Sequence, residues 1–182
     1  MTGNNFQNKG ATLIEILLTI GLFGLIIGAV SNVFYSILQE QRKGLVSQEI
    51  FDSTSYNLEY VSRLLRMAQK DTAGSCISTD KNYEATRTGS GIKFLDYNGS
   101  CREFYLENNR IYQQIGEGLA LPITSSKLKV DYLNFNILGD SQGDELQPKV
   151  TMFLEISRNS TKTEEQVQLK IQTTIAQRNL DL

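Results

Sequence analysis

"KGATLIEILLTIGLFGLIIGAV", Lys9–Val30, decides how this chain is read. The run is apolar enough for a bilayer, yet it carries one carboxylate, Glu15, near its start. A charge at the centre of a membrane helix costs about 2.5–3.5 kcal/mol on insertion scales. An ionisable residue in such a run is therefore a functional candidate, and its partner has to be named. No charged residue occurs from Ile16 to Leu38, a stretch longer than the roughly 20 residues that cross a bilayer as a helix. Ahead of it, "MTGNNFQNKG" carries one charge, Lys9, and the first charges beyond it are Glu40, Arg42 and Lys43. The balance of flanking basic residues therefore does not set an orientation. Two architectures compete for the segment at this point: a secretory signal peptide, or an uncleaved signal anchor with Glu15 snorkelling to the interface. The weakly basic leader, the charge at Glu15 and the poor small-x-small site at Gly28–Ser31 count against the first.

The 182 residues suit one anchor and one domain of ordinary size. Charged residues are 21% and hydrophobic residues 40%, which is not a disordered composition. The formal net charge of −2 lacks the basic footprint of a nucleic-acid binder. The chain has no His, so the commonest metal ligand and the commonest general base are missing. Cys76 and Cys101 are far apart and form no C-x-x-C motif. Outside the cytoplasm a disulfide is the simplest reading, closing a loop of about 25 residues and stabilising by roughly 3 kcal/mol. The alternative is two buried free thiols. No constellation of residues points to catalysis, and a nucleophilic Cys would have no His to activate it.

Beyond the span, Val33, Phe34, Ile37 and Leu38, then Leu45, Val46, Ile50, Phe51, Leu58, Val61, Leu64, Leu65 and Ala68, follow a 3.6-residue stripe. The pattern predicts one helix over about 11–70, membrane-embedded in its first half and amphipathic in its second. Gly44 and Ser53-Thr54-Ser55 are its weak points. After "DTAGSC" the period changes. Strands are expected near 92–97, 101–107 and 110–115, with a type I′ turn at Asn98-Gly99 and a second turn at Asn108-Asn109. "GEGLALPITSS" reads as a connection. "KLKVDYLNFNIL" reads as a strand with Leu128, Val130 and Tyr132 on its inner face. "PKVTMFLEIS" and "EEQVQLKIQTTIAQ" give two more. The fold class is thus α+β: a long N-terminal helix packed on an antiparallel head of one sheet or two. The divisions are 1–10 leader, 11–38 transmembrane helix, 39–72 amphipathic helix and 73–182 head.

"KGATLIE" resembles the prepilin leader of type IV pilins, minor pilins and type II secretion pseudopilins. That pattern is a basic residue, Gly, a hydrophobic residue (usually Phe), Thr, Leu, Ile or Val, and Glu. Here it falls on Lys9, Gly10, Ala11, Thr12, Leu13, Ile14 and Glu15, with Ala11 as the one departure. The resemblance implies cleavage after Gly10 by a membrane prepilin peptidase and N-methylation of Ala11. It implies assembly with other pilin or pseudopilin subunits on a membrane platform. The new amine of Ala11 would meet Glu15 of a neighbour. Removing one partner of such a buried pair costs about 3–5 kcal/mol, so Glu15 would act as a register device. The family also implies insertion in the inner (cytoplasmic) membrane, N-terminus inside and head outside, before entry into the filament. The head's order of strands is similar in texture to the larger minor pilins and J-type minor pseudopilins.

Other features carry less. Gly24-x-x-x-Gly28 permits close helix packing. Asp140, Asp144 and Glu145 share a Gly-containing loop, but their spacing does not match a calcium loop. No cofactor, metal or nucleic acid is expected. Loss of residues 1–10 removes only Lys9, moving the net charge from −2 to −3.

Overall fold

The computed structural model describes residues 10, 12–140, 146–160 and 167–178. Helix α1 runs Leu13–Arg66. The chain divides into two compact units, Met1–Arg42 and Lys43–Leu182. Burial of helix side chains begins at Val46.

Within the first unit, the helical side chains are exposed. Leu13, Ile14, Leu17, Leu18, Phe23 and Leu25 are all among its bare large hydrophobics. The second unit behaves oppositely. Val46, Ile50, Thr54, Asn57, Val61, Leu64 and Leu65 are buried at steps of three and four residues, which places them on one helix face. The helix passes without a break through Gly44 and Ser53–Ser55, the expected weak points. Thr54 is itself buried, between Ile50 and Asn57 on the same face, and packing of that face outweighs local propensity.

The helix ends at Arg66, short of the expected 70 and 72. The Ala68 N–H donates to the Leu65 carbonyl, tightening the last turn. Gln69 then pairs with Leu95, and Asp71 with Lys81. These residues leave the helix because Leu95 and Lys81 supply their backbone partners.

Among the described residues eight strands follow: β1 Glu84–Thr86, β2 Gly91–Leu95, β3 Cys101–Glu107, β4 Arg110–Ile115, β5 Leu121–Pro122, β6 Leu128–Leu138, β7 Lys149–Arg158 and β8 Gln168–Ala176. They form two antiparallel sheets, β1-β2-β3-β4-β5 and β6-β7-β8. Two short strands, β1 and β5, were not legible in the sequence. β5 lies in the stretch read as a connection and is only two residues long, too short to show an alternation.

The two hairpins of the first sheet use different turns. Asn108 and Asn109 both have positive φ (47° and 58°) between the paired Glu107 and Arg110, the requirement of a type I′ turn. At the expected I′ site only Gly99 is left-handed (φ 76°). There the Gly99 N–H donates to the Asp96 carbonyl and the Asp96 N–H to the Ser100 carbonyl, each at 2.9 Å. This is the longer turn in which one left-handed residue follows a type I bend.

β6 corrects the expected face assignment. Leu128 and Val130 point inward, but Tyr132 is 51% exposed and Leu133 is 2% exposed. The register against β7 shifts between Val130 and Tyr132. One extra residue in a strand reverses every later side chain. The bulge thereby buries Leu133 and Phe135, which an unbroken alternation would have left in solvent.

Tyr83, Phe94, Phe104, Ile92, Val150 and Ile156 complete the core against the helix. The Tyr83 hydroxyl donates to the Leu65 carbonyl at 2.6 Å. Leu65 is fully buried at this contact. Leu65→Ala is expected to lower unfolding free energy by about 2–5 kcal/mol, read as a urea midpoint shift at unchanged slope.

Candidate functional site

The candidate site lies at the start of α1. The Thr12 carbonyl accepts from the N–H groups of Glu15 and Ile16 at 3.1 and 3.2 Å. Thr12 is thus the residue from which the helix springs, and Glu15 sits in its first turn. A carboxylate there is favoured by the unsatisfied N–H groups and the positive end of the helix dipole. Its side chain makes no hydrogen bond or ion pair among the described residues. Of the expected cleavage residues, Gly10 is exposed, while Lys9 and Ala11 lie outside the described residues.

From Leu13 onward the helix is long and apolar enough to cross a membrane, and its most apolar window buries none of its surface in the protein. Gly24 and Gly28 have nothing within 4 Å of where a Cβ would stand. Glycine in a helix interior costs about 0.5–1 kcal/mol relative to Ala. Among the described residues nothing therefore uses the small size of either residue.

The head carries a second set of polar features, and these are structural in character. Cys76 and Cys101 form a disulfide with Cα atoms 5.2 Å apart. It ties the segment after α1 to the first residue of β3. Beside it, Asp71 collects the backbone N–H groups of Ala73, Ser75, Cys76 and Ile77. Burial works to raise this carboxyl, but those donors outweigh it and bring the pKa down to about 2. Asp96 is fully buried and accepts two bonds from the Arg102 guanidinium, at 2.8 and 3.2 Å. Arg102 also donates to Tyr60, whose hydroxyl donates to Gln113. Burial again opposes ionisation of Asp96, and Arg102 with the Ser100 and Asn98 N–H groups overcomes it.

Sequence reasoning missed Asp71 and Asp96 as organisers. The Gly and Ser after Asp71, and the Asn-Gly-Ser after Asp96, are the available signals, since short carboxylates bind backbone N–H groups in such turns. Of the acidic loop, Asp140 pairs with Lys81 at 3.3 Å, and Asp144 and Glu145 lie outside the described residues. Among the described residues no group of three or more His, Cys, Asp or Glu is placed to hold a metal ion. No protein-family model, curated protein or solved structure matches the chain.

Two measurements probe the head. A carboxyl whose folded pKa is depressed stabilises above its unfolded pKa and loses that contribution as pH falls through the folded one. For Asp71 the window runs from about pH 4 down to about 2. Stability followed by urea unfolding should fall across it, and Asp71→Asn should flatten the slope. Reduction of the Cys76–Cys101 bond should lower stability by about 3 kcal/mol on the chain-entropy model, read as a shift of the unfolding midpoint with and without reductant.

Proposed function

We propose that this chain is a minor pilin or minor pseudopilin, a structural subunit processed after Gly10 and assembled through its apolar helix into a membrane-rooted filament. One observation carries the reading. Glu15 stands as the fifth residue after Gly10, at the head of a helix whose large apolar side chains from Leu13 to Leu38 are exposed.

The chemistry follows from that placement. Peptidase cleavage after Gly10 frees the amine of Ala11, which is then N-methylated. In hydrocarbon, neither that ammonium nor the Glu15 carboxylate is stable alone. A neighbouring subunit that brings the amine of Ala11 to Glu15 neutralises both charges. A subunit out of register leaves both unmatched, at a cost of about 3–5 kcal/mol for each lost partner. The pair therefore selects register, while the surrounding apolar side chains and the bare Gly24 and Gly28 face supply the packing.

The disulfide supports a head on the outer side of the inner (cytoplasmic) membrane, because such bonds persist in oxidising compartments. On this reading the N-terminus faces the cytoplasm, where prepilin peptidase acts. The partners are other pilin or pseudopilin subunits and the membrane assembly platform, in a type IV pilus or a type II secretion pseudopilus. The chain performs no catalysis and needs no cofactor.

Intact-mass analysis of the protein extracted from membranes tests the reading. Loss of residues 1–10, with one added methyl group, is the expected result. An intact leader would overturn it and leave an uncleaved membrane-anchored extracytoplasmic module. In the processed protein, Glu15→Ala should leave the unfolding midpoint of the head unchanged. It should also abolish recovery of the subunit in sheared filaments.

A further inference from the structure

A cleft of about 280 Å³ opens at the C-terminal end of α1, lined by Glu59, Ser62, Arg63, Arg66, Met67 and Arg178. Arg63 and Arg66 belong to the last turn of the helix. Arg178 comes from beyond β8, and its backbone N–H donates to the Arg66 carbonyl at 2.8 Å. Two distant segments thus bring three guanidiniums to one cleft on a chain whose net charge is −2.

Among the described residues, only one of the three pairs with a carboxylate. Arg63 pairs with Glu59 at 2.6 Å. The guanidiniums of Arg66 and Arg178 make no hydrogen bond or ion pair among the described residues. The negative end of the helix dipole explains a cation at Arg63 or Arg66. Arg178 lies off the helix and adds a third like charge to the same cleft. The last-turn carbonyl of Arg66 is already satisfied by a backbone N–H, so no side chain is needed to cap it.

We propose that this cleft is a docking site for the carboxylates of an acidic peptide segment on a partner protein. Guanidinium forks match carboxylates and phosphates in two-point contact, and three features favour the carboxylate. Nucleic acid is held by an extended basic surface making many phosphate contacts, whereas this cleft is one cluster with Glu59 on its rim. Anionic membranes are recognised by clusters of roughly four to eight basic residues. The Arg63–Glu59 pair already seats a carboxylate on the rim, and half-buried Met67 offers an apolar wall to the methylene stem of a Glu side chain. The proposal does not depend on cleavage after Gly10, so it stands or falls separately from the filament reading.

The test is calorimetric titration of the full chain in neutral detergent micelles with hexaglutamate at low salt. Saturable binding is expected, weakening as salt screens it. The double substitution Arg66→Gln, Arg178→Gln should weaken binding about tenfold or more, with the thermal midpoint unchanged because both side chains are exposed. Should that variant fail to fold, Arg66→Lys, Arg178→Lys keeps the charge and removes the forks, and should still weaken binding severalfold. Absence of saturable binding, or binding unaltered in the folded variants, overturns the proposal. So does tighter, arginine-dependent binding of a DNA duplex, of phosphatidylglycerol vesicles or of inorganic phosphate, each titrated in parallel.

Discussion

The head depends on burial of one face of α1. Ile50, Val61, Leu64 and Leu65 reach the aromatic core of Tyr83, Phe94 and Phe104 and the aliphatic layer of β6 and β7. At about 25 cal/mol per Å² of apolar surface removed from water, such side chains are each worth roughly 1.5–3 kcal/mol. Neither sheet is large enough to bury its own inner face. Both use the helix as the surface on which they condense, and the helix in turn tolerates Gly44 and a Ser-Thr-Ser run because that face is held.

Where the chain leaves the helix, hydrophobicity gives way to directed polar bonding. Asp71 gathers four backbone N–H groups in a segment with no regular structure of its own. The Cys76–Cys101 bond fastens the same segment to β3. Asp96 does for the β2–β3 turn what Asp71 does for this junction, and Arg102 balances its charge. A buried carboxylate is costly unless every lone pair is used. These two are used, so they fix loop geometry at little net cost and leave the head dependent on their ionisation.

The N-terminal unit follows the opposite logic. Its large apolar side chains from Leu13 to Leu38 are exposed, and among the described residues Gly21, Gly24 and Gly28 have open space beside them. That run is long and apolar enough to cross a bilayer. On the proposed function a bilayer satisfies it first, neighbouring helices satisfy it afterwards, and Glu15 sets the register. The arginine cleft at the far end of α1 would then be a second and chemically separate contact, read by charge.

The sequence by itself determined the helix, its apolar and amphipathic halves, the antiparallel head and most of its strands. Each of those rests on a period that survives in one dimension: 3.6 for Leu45 to Ala68, 2 for β7 and β8. It also exposed Glu15, because a charge in an apolar run needs no structure to be seen. Tertiary structure decided what has no local period. The bulge that turns Tyr132 outward is set by which face of β6 meets the core. The end of α1 at Arg66 is set by β-bridges from Gln69 and Asp71 to Leu95 and Lys81, residues distant in sequence. The type I′ turn fell on Asn108-Asn109, and the loop at Asn98-Gly99 was lengthened by the Asp96 carboxylate. Arg178 reached Arg63 and Arg66 only through the path of β8, which no spacing in the chain records.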